Sequence, residues 1–597
     1  MFTFAKIRGQ IGISYSDNHL VNNDYYCEKE KVQGVYTGKL SLEFNLDGKN
    51  VTSEEFNKFY NNINPNTEGK LTKAKFKSRV AGLDLTCSAP KSLSVLYRLG
   101  GDERLKSAHS KAVDKALIEL EKSAYRRDRK GDNYHSEANI NTGNLLITKY
   151  EHDTSRDLDP QIHTHCFVMN FTKDNNTGEF YALQNSEIIR NIDHFGRIYQ
   201  NELAIEVQKL GYEIKITRDS KRNIKSFELK GVSDNLLDKF SKRAKTVKDV
   251  TKYFIEENGR KPTADELRII KTQTREQKLT ETTNSEILKN QKDQLSKSED
   301  INLKSVYEKS LVREVLCENK LDLVNEKEAI KKALNHLTER KSVITVTELE
   351  KECLKENLGR INFDKLDIAI KESKQIIKIE NDILTTREIL SEEKEVIKFA
   401  TRTKNKFQPL NDRYKPFSDS KTKYYEKNKG YDYTEQRIAV EKVLNNKDQI
   451  TVFRGVAGAG KTTALSEIEK ALKQNKLKSY YFAPTRTAVK ELKGISERAD
   501  TVASLIKKHE IGKLNDIKNS VLVIDEAGLL STKQGKVITD IAKKYNCRII
   551  LSGDSKQHSG VERGDYLRIL ENYSKTETVE LSTIRPEILY EKLNLYI

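Results

Sequence analysis

The sequence predicts a chain in three parts: an α+β domain on a central antiparallel sheet, a mostly helical middle, and an α/β domain with a parallel sheet. Three observations carry this reading. Two apolar, strand-like runs between residues 144 and 170 place three of the chain's 10 histidines where one hairpin can gather them. Residues 241–430 are rich in Lys and Glu and poor in Gly. Residues 431–597 alternate short apolar runs with helical patterns, and the first run leads into GVAGAGKTT.

The 597 residues leave room for about three or four domains. A net charge of +17, with 33% charged residues, favours a polyanionic partner, nucleic acid before membrane. The six cysteines (27, 87, 166, 317, 353 and 547) are scattered without a Cys-x-x-Cys pair. That argues against a zinc site or a disulfide framework and points to a reducing compartment. The N-terminus lacks a basic-then-apolar signal pattern, and no apolar run is long enough to span a bilayer. A cytoplasmic protein without membrane insertion is expected.

Along the first domain, residues 1–240, SYSDNHLVNNDYY carries Tyr15, Tyr25 and Tyr26. A phenol is a capable nucleophile towards phosphorus. AGLDLTCSAPKSLSVLY follows: a strand holding Asp84, then a turn into a helix whose first amides and Lys91 suit a phosphate. Asp84 can accept a tyrosine proton or orient a metal-bound histidine. An amphipathic helix is expected over 104–125. The run NLLITKY delivers His152, and the acidic loop from Asp153 to Gln161 returns the chain antiparallel into IHTHCFVM. His163 and His165 are two apart on that strand and so share a face. Three neutral imidazoles there make a facial site for a divalent cation. A hairpin with its turn at Asn175 to Gly178, a helix from about Ser186 to Leu210 and a further β pair complete the domain.

HDTSRDLDPQIHTHCFVMN resembles the three-histidine motif of conjugative relaxases of the TrwC/TraI (MobF) type. The block around Asp84, with Cys87 where that family has an aromatic residue, and RNIDHFGRIYQNELAIEVQKLGY are similar to the same family. The resemblance implies a palm-like relaxase fold with one divalent metal, Mg or Mn, on His152, His163 and His165. It implies Tyr15 as nucleophile on single-stranded DNA at an origin of transfer, with a 5′-phosphotyrosyl product, and Tyr25 or Tyr26 for a second step. A single Tyr15 after Ser14 departs from the tyrosine pair often found there. Accessory relaxosome proteins and a type IV secretion coupling protein are the implied partners.

The middle, 241–430, shows no catalytic cluster. Residues 271–305 are highly polar and read as an exposed linker or solvated helix. Residues 344–395 read as strand, helix, helix and strand pair, an order similar to a winged-helix module.

In the third part, 431–597, GVAGAGKTT lies between an apolar strand and a helix, the context a phosphate-binding loop needs. Backbone amides between Gly455 and Gly460, with Gly458 between them, would cradle phosphates. Lys461 would meet the β/γ oxygens of ATP and Thr462 would hold Mg²⁺. VLVIDEAGLL supplies Asp525 for Mg²⁺ and Glu526 to activate water. Gln436, the YFAPTRTAVKEL stretch, Gln557 in RIILSGDSKQ and Arg585 resemble motifs of superfamily 1B, RecD-like helicases, in order. That resemblance implies a RecA-type doubly wound sheet and 5′–3′ translocation. Motifs V and VI do not follow before Ile597, so a truncated lobe with weak or lost unwinding is expected. The chain thus reads as a conjugative relaxase fused to an ATP-binding helicase lobe. The alternative is a helicase or repair motor whose N-terminal domain only binds DNA.

Overall fold

The computed structural model describes residues 2–8, 32–73, 79–128, 139–274, 283–316, 321–380, 382–429, 432–456, 458–555, 560 and 562–583. The chain forms two compact units, Met1–Lys331 with Thr347–Lys371, and Lys332–Val346 with Glu372–Ile597.

The first unit is built on a five-stranded antiparallel sheet. Its strands are β1 (Phe2–Arg8), β2 (Val35–Thr37), β3 (Val80–Ser88), β4 (Ile147–Thr154) and β5 (Pro160–Met169), in the order β1-β3-β5-β4-β2. Alternation decides what each face meets. Leu85, Cys87, Ile162, Thr164 and Cys166 are fully or almost fully buried on one face. Three helices cover that face: α1 (Lys91–Arg98), α2 (Arg104–Glu121) and α3 (Ile192–Lys209). On the other face Tyr150, Phe167 and Met169 join an aromatic cluster with Tyr36, Phe56, Phe59, Tyr60 and Phe171. Phe167 needs a glycine beside it. A Cβ on Gly82 would lie 2.4 Å from the Phe167 ring and 2.6 Å from the carbonyl oxygen of Val168.

The expected helix from Ser186 to Leu210 is two helices, Ser186–Arg190 and Ile192–Lys209, because Asn191 leaves helical geometry at φ −97°, ψ 12°. The polar stretch 271–305 is not an exposed linker throughout. It enters two helices, α4 (Asn284–Asp293) and α5 (Lys297–Leu316), that bury Ile287, Gln291, Leu303 and Ser310. Helix α5 lies close over Gly211, where a Cβ would fall 2.0 Å from the Ser310 carbonyl oxygen. Arg104 joins Asp102, Glu314 and Ser310, and the Tyr212 hydroxyl donates to Asp102 at 2.6 Å. These contacts are polar and range from part-buried to buried, so hydrophobic periodicity does not announce them.

The order expected between 344 and 395 is present: Ile344–Thr345, helices Val346–Glu356 and Phe363–Glu372, then strands Ile376–Glu380 and Ile383–Thr386. The three strands form one antiparallel sheet with Ile383–Thr386 in the centre.

The second unit carries a six-stranded parallel sheet. Its strands are β6 (Ile450–Gly455), β7 (Ser479–Ala483), β8 (Ala499–Thr501), β9 (Val521–Ile524), β10 (Arg548–Gly553) and β11 (Thr578–Leu581), in the order β8-β7-β9-β10-β6-β11. Strands buried on both faces read as continuous apolar runs, as VLVI does. Val521, Val523 and Ile550 pack into one core, while Leu522, Ile524, Ile549 and Leu551 pack into another. Helices α6 (Thr434–Asn445), α7 (Lys461–Gln474) and α8 (Arg486–Lys493) connect to its strands. Among the described residues no helix is long and apolar enough to cross a membrane.

Candidate functional site

The register of β3, β4 and β5 gathers the histidines. His152 on β4 stands directly opposite His163 on β5, and His165 stands opposite Thr86 on β3. The ring centroids lie 5.1 Å apart for His152–His163, 5.4 Å for His152–His165 and 5.3 Å for His163–His165. Imidazoles that share one ion at about 2.1 Å have centroids roughly 4.5–5.5 Å apart, so the spacing of the three rings, though not yet the placing of their donor atoms, is that of a shared ion. Among the described residues no three His, Cys, Asp or Glu side chains already present their donor atoms around one point. The trio is therefore a convergence of rings rather than a closed cage of donor atoms.

Two partners set the tautomers. Asp84 sits on β3, two residues before Thr86, on the same face as His165. Its carboxylate oxygens accept from Nδ1 of His165 at 3.0 and 3.1 Å. Nδ1 of His163 donates to the Gln161 carbonyl at 3.0 Å. A proton held on Nδ1 makes Nε2 the lone-pair nitrogen, the usual way an outer partner orients a ligating histidine. Asp84 is buried, as is His152 at 3% exposure.

Behind the sheet lies an arrangement that sequence reading did not single out. Thr164, between the two β5 histidines, points to the helical face and meets Nε2 of His109 on α2 at 2.8 Å. Nδ1 of His109 meets the Tyr199 hydroxyl on α3 at 2.8 Å. Burial pushes the His109 imidazole down to about 3, and nearby positive charges act in the same direction. It is neutral in the fold. The available signal was a histidine on the apolar stripe of helix 104–121, beside Leu105, Ala108 and Ala112.

Lys91 does not face outward for phosphate. It is half-buried at the start of α1 and donates to the Pro160 carbonyl at 2.9 Å. Burial lowers its pKa to about 8. The Ser92 amide is already taken by the Glu228 carboxylate at 2.8 Å. Tyr15, Tyr25 and Tyr26 lie outside the described residues, as do Gln557 and Arg585.

In the second unit, β6 ends at Gly455 and α7 begins at Lys461. Gly458 and Gly460 both take φ +83°, a left-handed turn that side chains disfavour. Lys461 Nζ donates to the Gly455 carbonyl and, at 3.4 Å, to that of Val456. Burial lowers the Lys461 pKa, opposed by the charges of Asp525, Asp554 and Glu526. Thr462 follows, exposed. Strand β10 is inserted between β6 and β9, so Ser552 reaches Asp525 and donates to its carboxylate at 2.7 Å. Glu526 takes φ +53° and accepts from the Thr485 hydroxyl at 3.0 Å. Buried Gln436 on α6 donates to the Ala459 carbonyl at 3.0 Å, which ties this helix to the loop.

Residues 10–298 match the family model described as TrwC relaxase, and residues 433–587 match that of an AAA domain. The multifunctional conjugation protein TraI of Escherichia coli is 33% identical over 265 residues, 42% of this chain. The conjugal transfer protein TraA of Rhizobium radiobacter is 31% identical over 153 residues, 24% of this chain. Each match spans 14% of the relative's own length. Among solved structures, the conjugative relaxase TrwC in complex with oriT DNA, in a metal-bound form, is 28% identical. The match covers 49% of this chain and 96% of that one, at a TM-score of 0.42. Residues 10–298 are thus similar to the TrwC relaxase domain, and residues 433–587 to an AAA domain.

Proposed function

We propose that this chain is a conjugative DNA relaxase that nicks single-stranded DNA at an origin of transfer by tyrosine transesterification, joined to an ATP-binding lobe of a 5′–3′ helicase. The single observation that carries the nicking half is the convergence of His152, His163 and His165 on one sheet face with Asp84 against His165.

His152, His163 and His165 would hold a divalent cation, Mg or Mn, through their Nε2 nitrogens. Bound there, it supplies positive charge to polarise the scissile phosphate. Asp84 keeps the His165 proton on Nδ1; with both oxygens turned to His165, it suits this orienting role better than that of a base for tyrosine. Tyr15 is the proposed nucleophile, with Tyr25 or Tyr26 for the second step. The phenolic oxygen bonds to phosphorus, the bond from phosphorus to the 3′ oxygen breaks, and the phenolic proton passes to a base while the 3′ oxygen gains one. The ester conserves the bond for later rejoining.

In the second unit, amides from Gly455 to Gly460 would cradle the phosphates of ATP and Lys461 would meet the β/γ oxygens. Thr462 and Asp525 would hold Mg²⁺, and Glu526 would take the proton of the attacking water. Gln436 would read adenine, with Gln557 and Arg585 completing the site. The strand–helix–helix–strand–strand order of 344–386 supports a winged-helix-like module. Accessory relaxosome proteins and a secretion coupling protein in a bacterial cytoplasm complete the reading.

The test is incubation of the full chain with labelled single-stranded origin oligonucleotides and Mg²⁺ or Mn²⁺. The expected result is a covalent DNA–protein adduct that maps to Tyr15, disappears in Tyr15→Phe and falls sharply in His163→Ala. Binding without any adduct would favour the motor with a DNA-binding N-terminal domain.

A further inference from the structure

His152 is the last β4 residue paired in regular register, since the pairing with β5 shifts between His152 and Thr154. A bulge bends a strand and re-aims its neighbours, so whatever fixes Asp153 also fixes the direction of His152. Arg98, the last residue of α1, is 8% exposed. Its guanidinium donates to the Asp153 carboxylate at 2.5 Å, to Oε1 of Gln291 at 2.8 Å and to Oδ1 of Asn284 at 2.5 Å. Gln291 in turn donates to the Leu158 carbonyl at 2.6 Å. Leu158, at φ +57°, lies in the turn that joins the two histidine strands. Burying a guanidinium is costly unless its donors are satisfied. Here they are spent on one hairpin and on helix α4, whose Asn284 and Gln291 lie 186 and 193 residues further along the chain. The rest of α1 holds the other arm: Lys91 donates to the Pro160 carbonyl, and the Ile162 amide donates to the Ser94 hydroxyl at 3.0 Å.

We propose that Arg98 is a positioning residue for the cation site: clamped by Gln291 and Asn284, it holds the Asp153 bulge and so aims His152 at His163 and His165. This rests on the cation reading given above. It also gives helix α4 a role at the site that its polar sequence conceals.

The test uses the full chain and Co²⁺ alone. Two readouts are followed: the visible absorption of bound Co²⁺, and the Co²⁺-induced rise in melting temperature of the first unit. Wild type and His152→Ala come first. If wild type takes up no Co²⁺ that depends on His152, the cation reading falls and the positioning role falls with it. Gln291→Leu keeps the buried volume and removes the clamp's far end, and Arg98→Met removes its hub. The expected result is Co²⁺ binding weakened about 10-fold or more, the range seen when an outer partner of a metal ligand is lost, with an altered absorption band. A merely structural clamp would lower the melting temperature of the metal-free chain yet leave Co²⁺ affinity, the absorption band and the Co²⁺-induced rise unchanged. That result would overturn the proposal. Should Arg98→Met not fold, Gln291→Leu decides alone.

Discussion

His109 offers a quantitative test of the packing behind the histidine strand. Its imidazole is neutral in the fold, pushed down to about 3 by burial, whereas in the unfolded chain it titrates near 6.5. The unfolded state therefore takes up a proton that the folded state refuses. Stability is unaffected above about pH 6.5, falls as pH drops below it, and stops falling near pH 3. At pH 5 the cost is about 2 kcal/mol, from 1.36 kcal/mol per decade over roughly 1.5 decades. His109→Gln retains a donor towards Thr164 and removes the titration. Hydrogen exchange of peptides from α2 and β5, corrected for intrinsic rates, reads local stability without requiring the two units to unfold together. Between pH 7.5 and 5, wild type should lose about 30-fold in protection from this group, while His109→Gln loses that much less. The substitution also costs about 1–2 kcal/mol at neutral pH through the lost Tyr199 bond. An acid limb equally steep in both proteins would refute the neutral, buried His109 and the anchoring of β5 that depends on it.

Other outcomes follow from the same geometry. Asp84→Asn keeps the shape but withdraws the charge facing His165 Nδ1. Mn²⁺ affinity measured by titration should weaken about 10- to 100-fold, and unchanged affinity would remove Asp84 from the site. In the second unit, Lys461→Ala should abolish binding of a fluorescent ATP analogue. Glu526→Gln should preserve that binding but lower any phosphate release by about 100-fold or more. Equal turnover in Glu526→Gln would exclude this residue as the base.

The gathering of the three histidines was legible because a period of two is a strong constraint. His163 and His165 could only share a face, and a short return loop could only set His152 across from one of them. The glycine loop before Lys461 was legible for a similar reason: Gly458 and Gly460 take left-handed turns between a buried strand and a helix. Lys91 was misread because an exposed-looking basic residue at a helix start does not reveal that Glu228, 136 residues later, will take the neighbouring amide. The break at Asn191 was hidden by apolar periodicity that continues through it. Helices α4 and α5 looked solvated because their buried contacts run through Gln291 and Ser310 rather than through an apolar stripe. The placement of Tyr15, Tyr25 and Tyr26 lies outside the described residues.

The docking of α4 and α5 bears on how this chain should be cut for biochemistry. A fragment stopped at residue 240 would leave the Arg98 guanidinium without Gln291 and Asn284, and Arg104 without Glu314. It would also bare the surface that α5 covers at Gly211. Such a piece would combine a stranded buried cation with newly wetted backbone, conditions that favour aggregation during purification. Ending the piece after Leu316 retains both helices, and with them the buttress under the histidine hairpin.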